Sequence, residues 1–173
     1  VSSPEGRSEL GDASVSWRLG GRIETDVNGD YQLRPDGSAL VLGFDGWNLQ
    51  MFSQQHWWGP GWQSSVVNGH NNPAWLGAGI QRGNVAPSDS AWLSWMGPWN
   101  LDVFVAKAHD PVVVTNQPSG FIFSGMRLTM KPKPWLELGV SRGLQTGGSG
   151  RPSGAKNFVN AFLGQQVNQE TSD

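Results

Sequence analysis

Trp99-Asn100-Leu101-Asp102-Val103-Phe104-Val105-Ala106 sets Trp99, Leu101, Val103 and Val105 on one parity and Asn100, Asp102 and Ala106 on the other. Alternation with a period of two is the mark of a strand with two unlike faces. Phe104 is the single blemish, a large apolar residue on the polar parity. The same grammar recurs on both sides. Trp47, Leu49 and Met51 oppose Asn48 and Gln50 within 47–54, and Ile122, Met126, Leu128 and Met130 share a parity within 121–131. Leu136, Leu138 and Val140 do so within 135–144, where Trp135 breaks the pattern. From Ser14, Val15, Trp17, Leu19 and Ile23 alternate with Ser16, Arg18, Arg22 and Glu24, and Gly20-Gly21 predicts a bend or bulge there.

Turn signatures separate these runs: Asn28-Gly29-Asp30, Asp36-Gly37, Asp45-Gly46 and Pro132-Lys133-Pro134. A weaker strand is expected from Tyr31, further strands over 38–44, 64–68 and 75–82, and a short one over 91–96. Residues 1–13 and 165–173 read as loose ends, and 153–163 as the one short helix, closed by Gly164. The fold class expected is all-β, an antiparallel meander forming a transmembrane β-barrel or part of one, as a single domain over 1–173.

Composition fits. The 173 residues hold 24 glycines, 11 prolines and ten tryptophans, with only 15% charged residues, which suits a β-rich chain with many turns. A net charge of −2 and no basic run argue against a nucleic-acid partner. The lack of cysteine removes disulfides, thiolate metal sites and Cys nucleophiles. No apolar run is long enough for a transmembrane helix, so residence in a membrane would be through strands. Val1 opens the chain with neither Met nor a signal-peptide pattern, as in a mature form or a section of something longer.

Alternation alone leaves two architectures. In a soluble sandwich the apolar parity is the dry core; in a membrane barrel it meets lipid and the other parity lines a wet lumen. Trp47, Trp99 and Trp135 each follow a turn, where an interfacial aromatic girdle would stand, or where indoles would cap a soluble core.

The densest aromatic stretch is His56-Trp57-Trp58-Gly59-Pro60-Gly61-Trp62-Gln63-Ser64-Ser65. Indoles splayed by a Gly–Pro turn make either a packed corner or a stacking surface for flat ligands. Sugar rings present apolar C–H faces to indoles, and Asn, Gln, His and Arg address their hydroxyls. On that chemistry the candidate binding set is His56, Trp57, Trp58, Trp62, Gln63, Asn71 and Asn72, with Arg82 and Arg127 adding charge for an acidic sugar. Tryptophans that merely pack are the plainer alternative. Asp45, Asp102, Asp110 and Glu137 could serve a glycosidase only as a facing pair. Neither the spacing of His56, His70 and His109 nor the context of Ser64-Ser65 asks for a metal or a nucleophile. The expectation is a binding protein without enzymatic activity, metal or cofactor.

These stretches together resemble the capsule assembly protein Wzi family. The resemblance rests on Trp47-Asn48-Leu49-Gln50 leading to Trp57-Trp58-Gly59-Pro60-Gly61-Trp62-Gln63-Ser64-Ser65, then on Asn71-Asn72-Pro73. It continues in 123–132, 134–139, the 147–150 loop and Phe162-Leu163-Gly164, covering most of 38–165 in the family's order. Where the family usually carries an acid and an Arg before the paired tryptophans, Gln55 and His56 stand here. The Asn-rich loop departs from Asn-Ala-Arg-Pro, so two cationic positions are lost. The resemblance implies a bacterial outer-membrane barrel, in contact with outer-membrane lipid, that binds capsular polysaccharide and holds it at the cell surface. It also implies more strands than this chain supplies, so the chain is either a section of a longer barrel, the favoured reading, or a small barrel that closes on its own. A soluble, secreted carbohydrate-binding β-sandwich is the alternative.

Overall fold

The computed structural model describes residues 4–25, 29, 31–54, 74–107 and 121–147. The aromatic stretch 56–65, the strand expected over 64–68, the Asn-rich loop, the helix expected over 153–163 and the tail from 165 lie outside them.

Ten strands are described: β1 (Glu5–Leu10), β2 (Ala13–Arg18), β3 (Arg22–Thr25), β4 (Tyr31–Arg34), β5 (Ala39–Phe44), β6 (Trp47–Gln54), β7 (Trp75–Arg82), β8 (Trp99–Lys107), β9 (Ile122–Lys133) and β10 (Leu136–Thr146). Eight form one antiparallel sheet in the order β1-β2-β5-β6-β7-β8-β9-β10, and β3 and β4 pair by themselves. This is a meander with one excursion.

Turn chemistry sets the register. Asp45 and Gly46 have φ of 46° and 74°, two positive values in succession, as a two-residue hairpin twisted to match its strands requires. The β9–β10 turn is Pro134-Trp135, one step beyond the predicted Pro132-Lys133-Pro134, and a bulge follows between Leu136 and Leu138. Trp135 therefore belongs to the turn, which is why it failed to match its neighbours' parity.

Three other expectations change. Glu5–Leu10 is no loose lead-in; it pairs with all of β2 from Glu5↔Arg18 to Leu10↔Ala13. The long alternation from Ser14 divides at Gly20-Gly21, where a Cβ on Gly20 would stand 2.5 Å from the Asp36 carbonyl oxygen. The chain there leaves the main sheet for β3. Residues 94–96 form a 3-10 turn, not a strand, closed by Gly97 at φ 64°.

Cross-strand partners share a face, so register assigns each side chain. One face carries Trp17, Leu40, Leu42, Leu49, Met51, Ile80, Val103, Val105, Leu128 and Val140. It is the exposed one: Leu49 is 54% accessible and Leu76 62%. A soluble sandwich would bury this parity, and no second sheet covers it among the described residues. On β8 the same face runs from Trp99 to Lys107, about 26 Å at 3.3 Å per residue, close to the apolar band of a membrane barrel. Arg82 and Arg142 share this parity, the first beside Trp99, the second half-buried on the edge strand β10.

The opposite face holds Ser16, Arg18, Asn48, Gln50, Gln81, Asp102, Arg127, Ser141 and Gln145, as a hydrated interior would. It also holds the core. Phe52, Trp75, Phe104 and Ala106 are buried there, with Phe123 and Phe121 packed against them. Gly77 makes this possible, since a Cβ on it would lie 2.8 Å from the Phe52 ring.

Candidate functional site

The two ends of the sheet differ. At one end, residues 11–12, 45–46 and 134–135 are two-residue turns, with 83–98 the longer fourth connection. At the other end the connections are 19–38, which contains β3 and β4, then 55–74 and 108–121. Membrane barrels put short turns on the periplasmic side and long loops outside. The aromatic stretch thus joins two strands at the long-connection end, where its flanking residues Gln54 and Trp75 face each other across β6 and β7.

Gln54 and Trp75 belong to the inner face, next to the aromatic core. The Trp75 ring lies 4.9 Å from that of Phe123 and 6.3 Å, edge-on, from that of Phe121. Phe104 stands 6.0 Å from both Phe52 and Phe123. On the other side of Gln54 the inner wall opens into a groove of about 590 Å³ lined by Arg7, Ser16, Arg18 and Val41. Arg18 pairs loosely with Glu5 at 3.5 Å and Arg7 with Glu9 at 3.3 Å, all four well exposed. Exposed pairs of this kind hold each other weakly and can turn to a ligand. Between Trp75 and this groove, the rim has apolar rings on one side and exposed cations and amides on the other.

The second foot of the connection is clamped. Arg34, buried at 8% accessibility, sits 2.9 Å from a Glu24 carboxylate oxygen and 3.5 Å from one of Asp36, and donates to the Ala74 carbonyl at 3.4 Å. Ala74 directly precedes Trp75. Replacing Arg34 by Met is expected to cost about 1–2 kcal/mol, less than for a fully buried pair because Glu24 keeps part of its hydration. Chemical denaturation of Arg34→Met against the parent chain checks this.

Of the residues proposed from sequence, His56, Trp57, Trp58, Trp62, Gln63, Asn71 and Asn72 lie outside the described residues. Arg82 and Arg127 are described and do not share a surface. Arg82 is at the short-turn end on the apolar face, its guanidinium 3.9 Å from the Trp99 ring centroid and bonded to the carbonyls of Ala86 and Trp99 at 2.9 Å each. Trp47 stands edge-on to Trp99 at 6.4 Å, so two indoles and a cation sit together at the short-turn end of the apolar face. Arg127 is on the inner wall, directly opposite Asp102. Glu137 lies at the bulged end of β10, across β9 from the strand that carries Asp102, so the two do not form a facing acid pair. Arg7 and Arg18 were not singled out in the sequence, and the pairing of β1 with β2 is what brings them to the rim.

The sequence model for capsule assembly protein Wzi matches residues 4–173. The chain belongs to the capsule assembly protein Wzi family. Its relatives include an uncharacterized 55.8 kDa protein in the cps region of Klebsiella pneumoniae, 35% identical over 120 residues, which are 68% of this chain and 23% of that protein. Among solved structures it resembles Wzi of Escherichia coli, described as an outer membrane protein involved in group 1 capsule assembly and a carbohydrate-binding β-barrel. The TM-score is 0.68 at 27% identity, over 89% of this chain and 34% of that one. This Wzi-family chain spans about a quarter of the curated relative and a third of the solved barrel. Its sheet is therefore a section of an outer-membrane β-barrel, and β1 and β10 are its two edges among the described residues.

Proposed function

We infer that this chain supplies part of the wall and rim of a barrel that holds capsular polysaccharide at the cell surface and assists capsule assembly. The apolar face then meets outer-membrane lipid and the inner face is hydrated. The observation that carries this reading is the position of Gln54 and Trp75. They bring both ends of the tryptophan-rich connection to the inner rim, between a ring cluster and a groove with two exposed arginines. In this reading His56, Trp57, Trp58, Trp62, Gln63, Asn71 and Asn72 contact the polymer. Arg127 on the inner wall adds charge, and Arg82 serves the barrel border. The role is binding without turnover.

Trp58→Ala is expected to weaken polysaccharide binding by about 30-fold, near 2 kcal/mol, as for an aromatic anchor at an interface centre. Titration of purified capsular polysaccharide against the detergent-solubilised protein measures it. Unchanged binding in Trp57→Ala, Trp58→Ala and Trp62→Ala alike would assign the stretch to packing and remove the lectin reading.

A further inference from the structure

The β3–β4 hairpin has its amphipathicity reversed. Ile23 pairs with Leu33 and Thr25 with Tyr31 on one side, while Arg22, Glu24 and Arg34 occupy the other. A hairpin standing in water puts its charges outward and its apolar side down. Here Arg34 is buried, whereas Ile23 is 70% accessible and Leu33 and Tyr31 are each 80% accessible. The Arg34 contacts with Asp36 and the Ala74 carbonyl tie this part of the charged side to the protein, while its pairing with Glu24 stays within the hairpin and Arg22 is exposed. The hairpin cannot roll over without breaking the first two contacts, so its apolar side is fixed outward.

In the sequence, that side keeps the parity of the main sheet's apolar face, although the hairpin is a separate sheet. Counting along β2, the parity of Val15, Trp17 and Leu19 passes through Gly21 to Ile23; toward β5, that of Tyr31 and Leu33 passes to Pro35. Leu19 and Pro35 line a groove of about 430 Å³ at the corner, together with Trp17, Leu40, Met51 and Leu76 of the sheet's apolar face. No charged residue falls on this parity from Val15 to Ile23 or from Tyr31 to Pro35. Tyr31, with an apolar ring and a polar tip, is a residue type that gathers at membrane borders.

We propose that the β3–β4 hairpin lies on the bilayer surface at the long-connection end, with Ile23, Leu33 and Tyr31 in the boundary between lipid headgroups and acyl chains. The proposal rests on the reading that lipid covers the apolar face of the main sheet. Burial of such an apolar side at the interface binds in proportion to the area covered. The hairpin then acts as an outrigger that fixes the depth of the barrel mouth, and through Arg34 and Ala74 it ties that depth to the tryptophan-rich connection.

The chain has no cysteine, so each label is single within it, and any cysteine elsewhere in the barrel is first replaced by serine. Ile23→Cys, Leu33→Cys, Leu49→Cys and Ser16→Cys are each labelled with an environment-sensitive fluorophore in the intact protein. The labelled proteins are reconstituted in phosphatidylcholine vesicles carrying a nitroxide either at the headgroup or deep in the acyl chain. The labels at 23 and 33 are expected to lose most of their emission to the headgroup quencher and little to the deep one. The Leu49 label should respond to the deep quencher, and the inner-face Ser16 label to neither. If 49 is quenched by lipid while 23 and 33 respond only to aqueous iodide, the hairpin proposal falls and the lipid-facing sheet stands. Labels at 23 and 33 shielded from both lipid and iodide overturn it too, in favour of cover by polysaccharide or protein. If 49 itself is untouched by lipid, the underlying reading fails first.

Discussion

An arginine in place of Leu49 is expected to destabilise the bilayer-folded protein by about 2–4 kcal/mol, whereas one in place of Gln50 changes it by about 1 kcal/mol or less. Leu49 lies opposite Leu42 and Ile80 on the exposed apolar face, midway between the levels of Trp99 and Lys107. A guanidinium there must leave water for hydrocarbon, or drag water and headgroups inward. Gln50, the next residue, faces the hydrated wall, where a charge keeps its solvation. Arg142 stands on the same parity near that level, but it is half-buried and engaged within the structure, unlike an arginine on the open face at 49. Urea-dependent folding into vesicles measures both variants. Each rival architecture has its own signature: a soluble sheet exposing this face would tolerate both changes, and a sandwich burying it would reject Leu49→Arg in plain buffer as well. Equal tolerance at 49 and 50 in a bilayer would remove the membrane assignment of the face.

The face assignment was legible in the sequence because period two needs no knowledge of partners. Trp47, Leu49 and Met51 announce a face wherever β6 pairs. The turns were legible for a similar reason, since Asp45-Gly46 carries its backbone geometry in its residue types. β1 was not. Glu5, Arg7 and Glu9 are polar on one parity, and the other begins with Gly6 because a Cβ there would sit 2.7 Å from the Trp17 indole. Its identity as a strand comes from β2. The division at Gly20-Gly21 was legible as a bend but not as an exit from the sheet, because the alternation runs on through it into β3.

The site shows the same divide. The tryptophan-rich stretch is visible as composition, but what flanks it comes from contacts distant in sequence. Arg34 joins Glu24, Asp36 and Ala74, and no local pattern links 24 to 74. Arg82 was counted as a ligand residue because a guanidinium suits acidic sugars. Its true neighbours, Trp99 and the carbonyls of Ala86 and Trp99, arrive through the connection and the next strand. Phe104 was the informative misfit. A large ring on the polar parity is costly in an empty, wet lumen, so its persistence signals that this part of the inner wall is packed.

Phe104→Ala turns that inference into a measurement, with an expected loss of about 3–5 kcal/mol, the usual range for deleting a buried phenylalanine. Only 2% of Phe104 is accessible, and its ring contacts those of Phe52 and Phe123. The cavity left by its removal cannot be closed cheaply, because strand pairing to β7 and β9 fixes the backbone on both sides. Phe104→Leu should cost less, since it keeps most of the volume. The loss should also reach the rim, because Phe123 bridges Phe104 to Trp75 and Trp75 anchors one foot of the tryptophan-rich connection. Heat-induced unfolding followed by the gel-mobility shift of folded barrels reads stability, and titration with capsular polysaccharide reads the rim. Unchanged stability on truncation would mean that the rings stand in an open channel. Lost stability with unaltered binding would mean that the ring core and the polymer site are independent. Loss of both is expected from the proposed binding role of the tryptophan-rich connection, since the rings of Phe104, Phe123 and Trp75 are in series behind the foot of that connection.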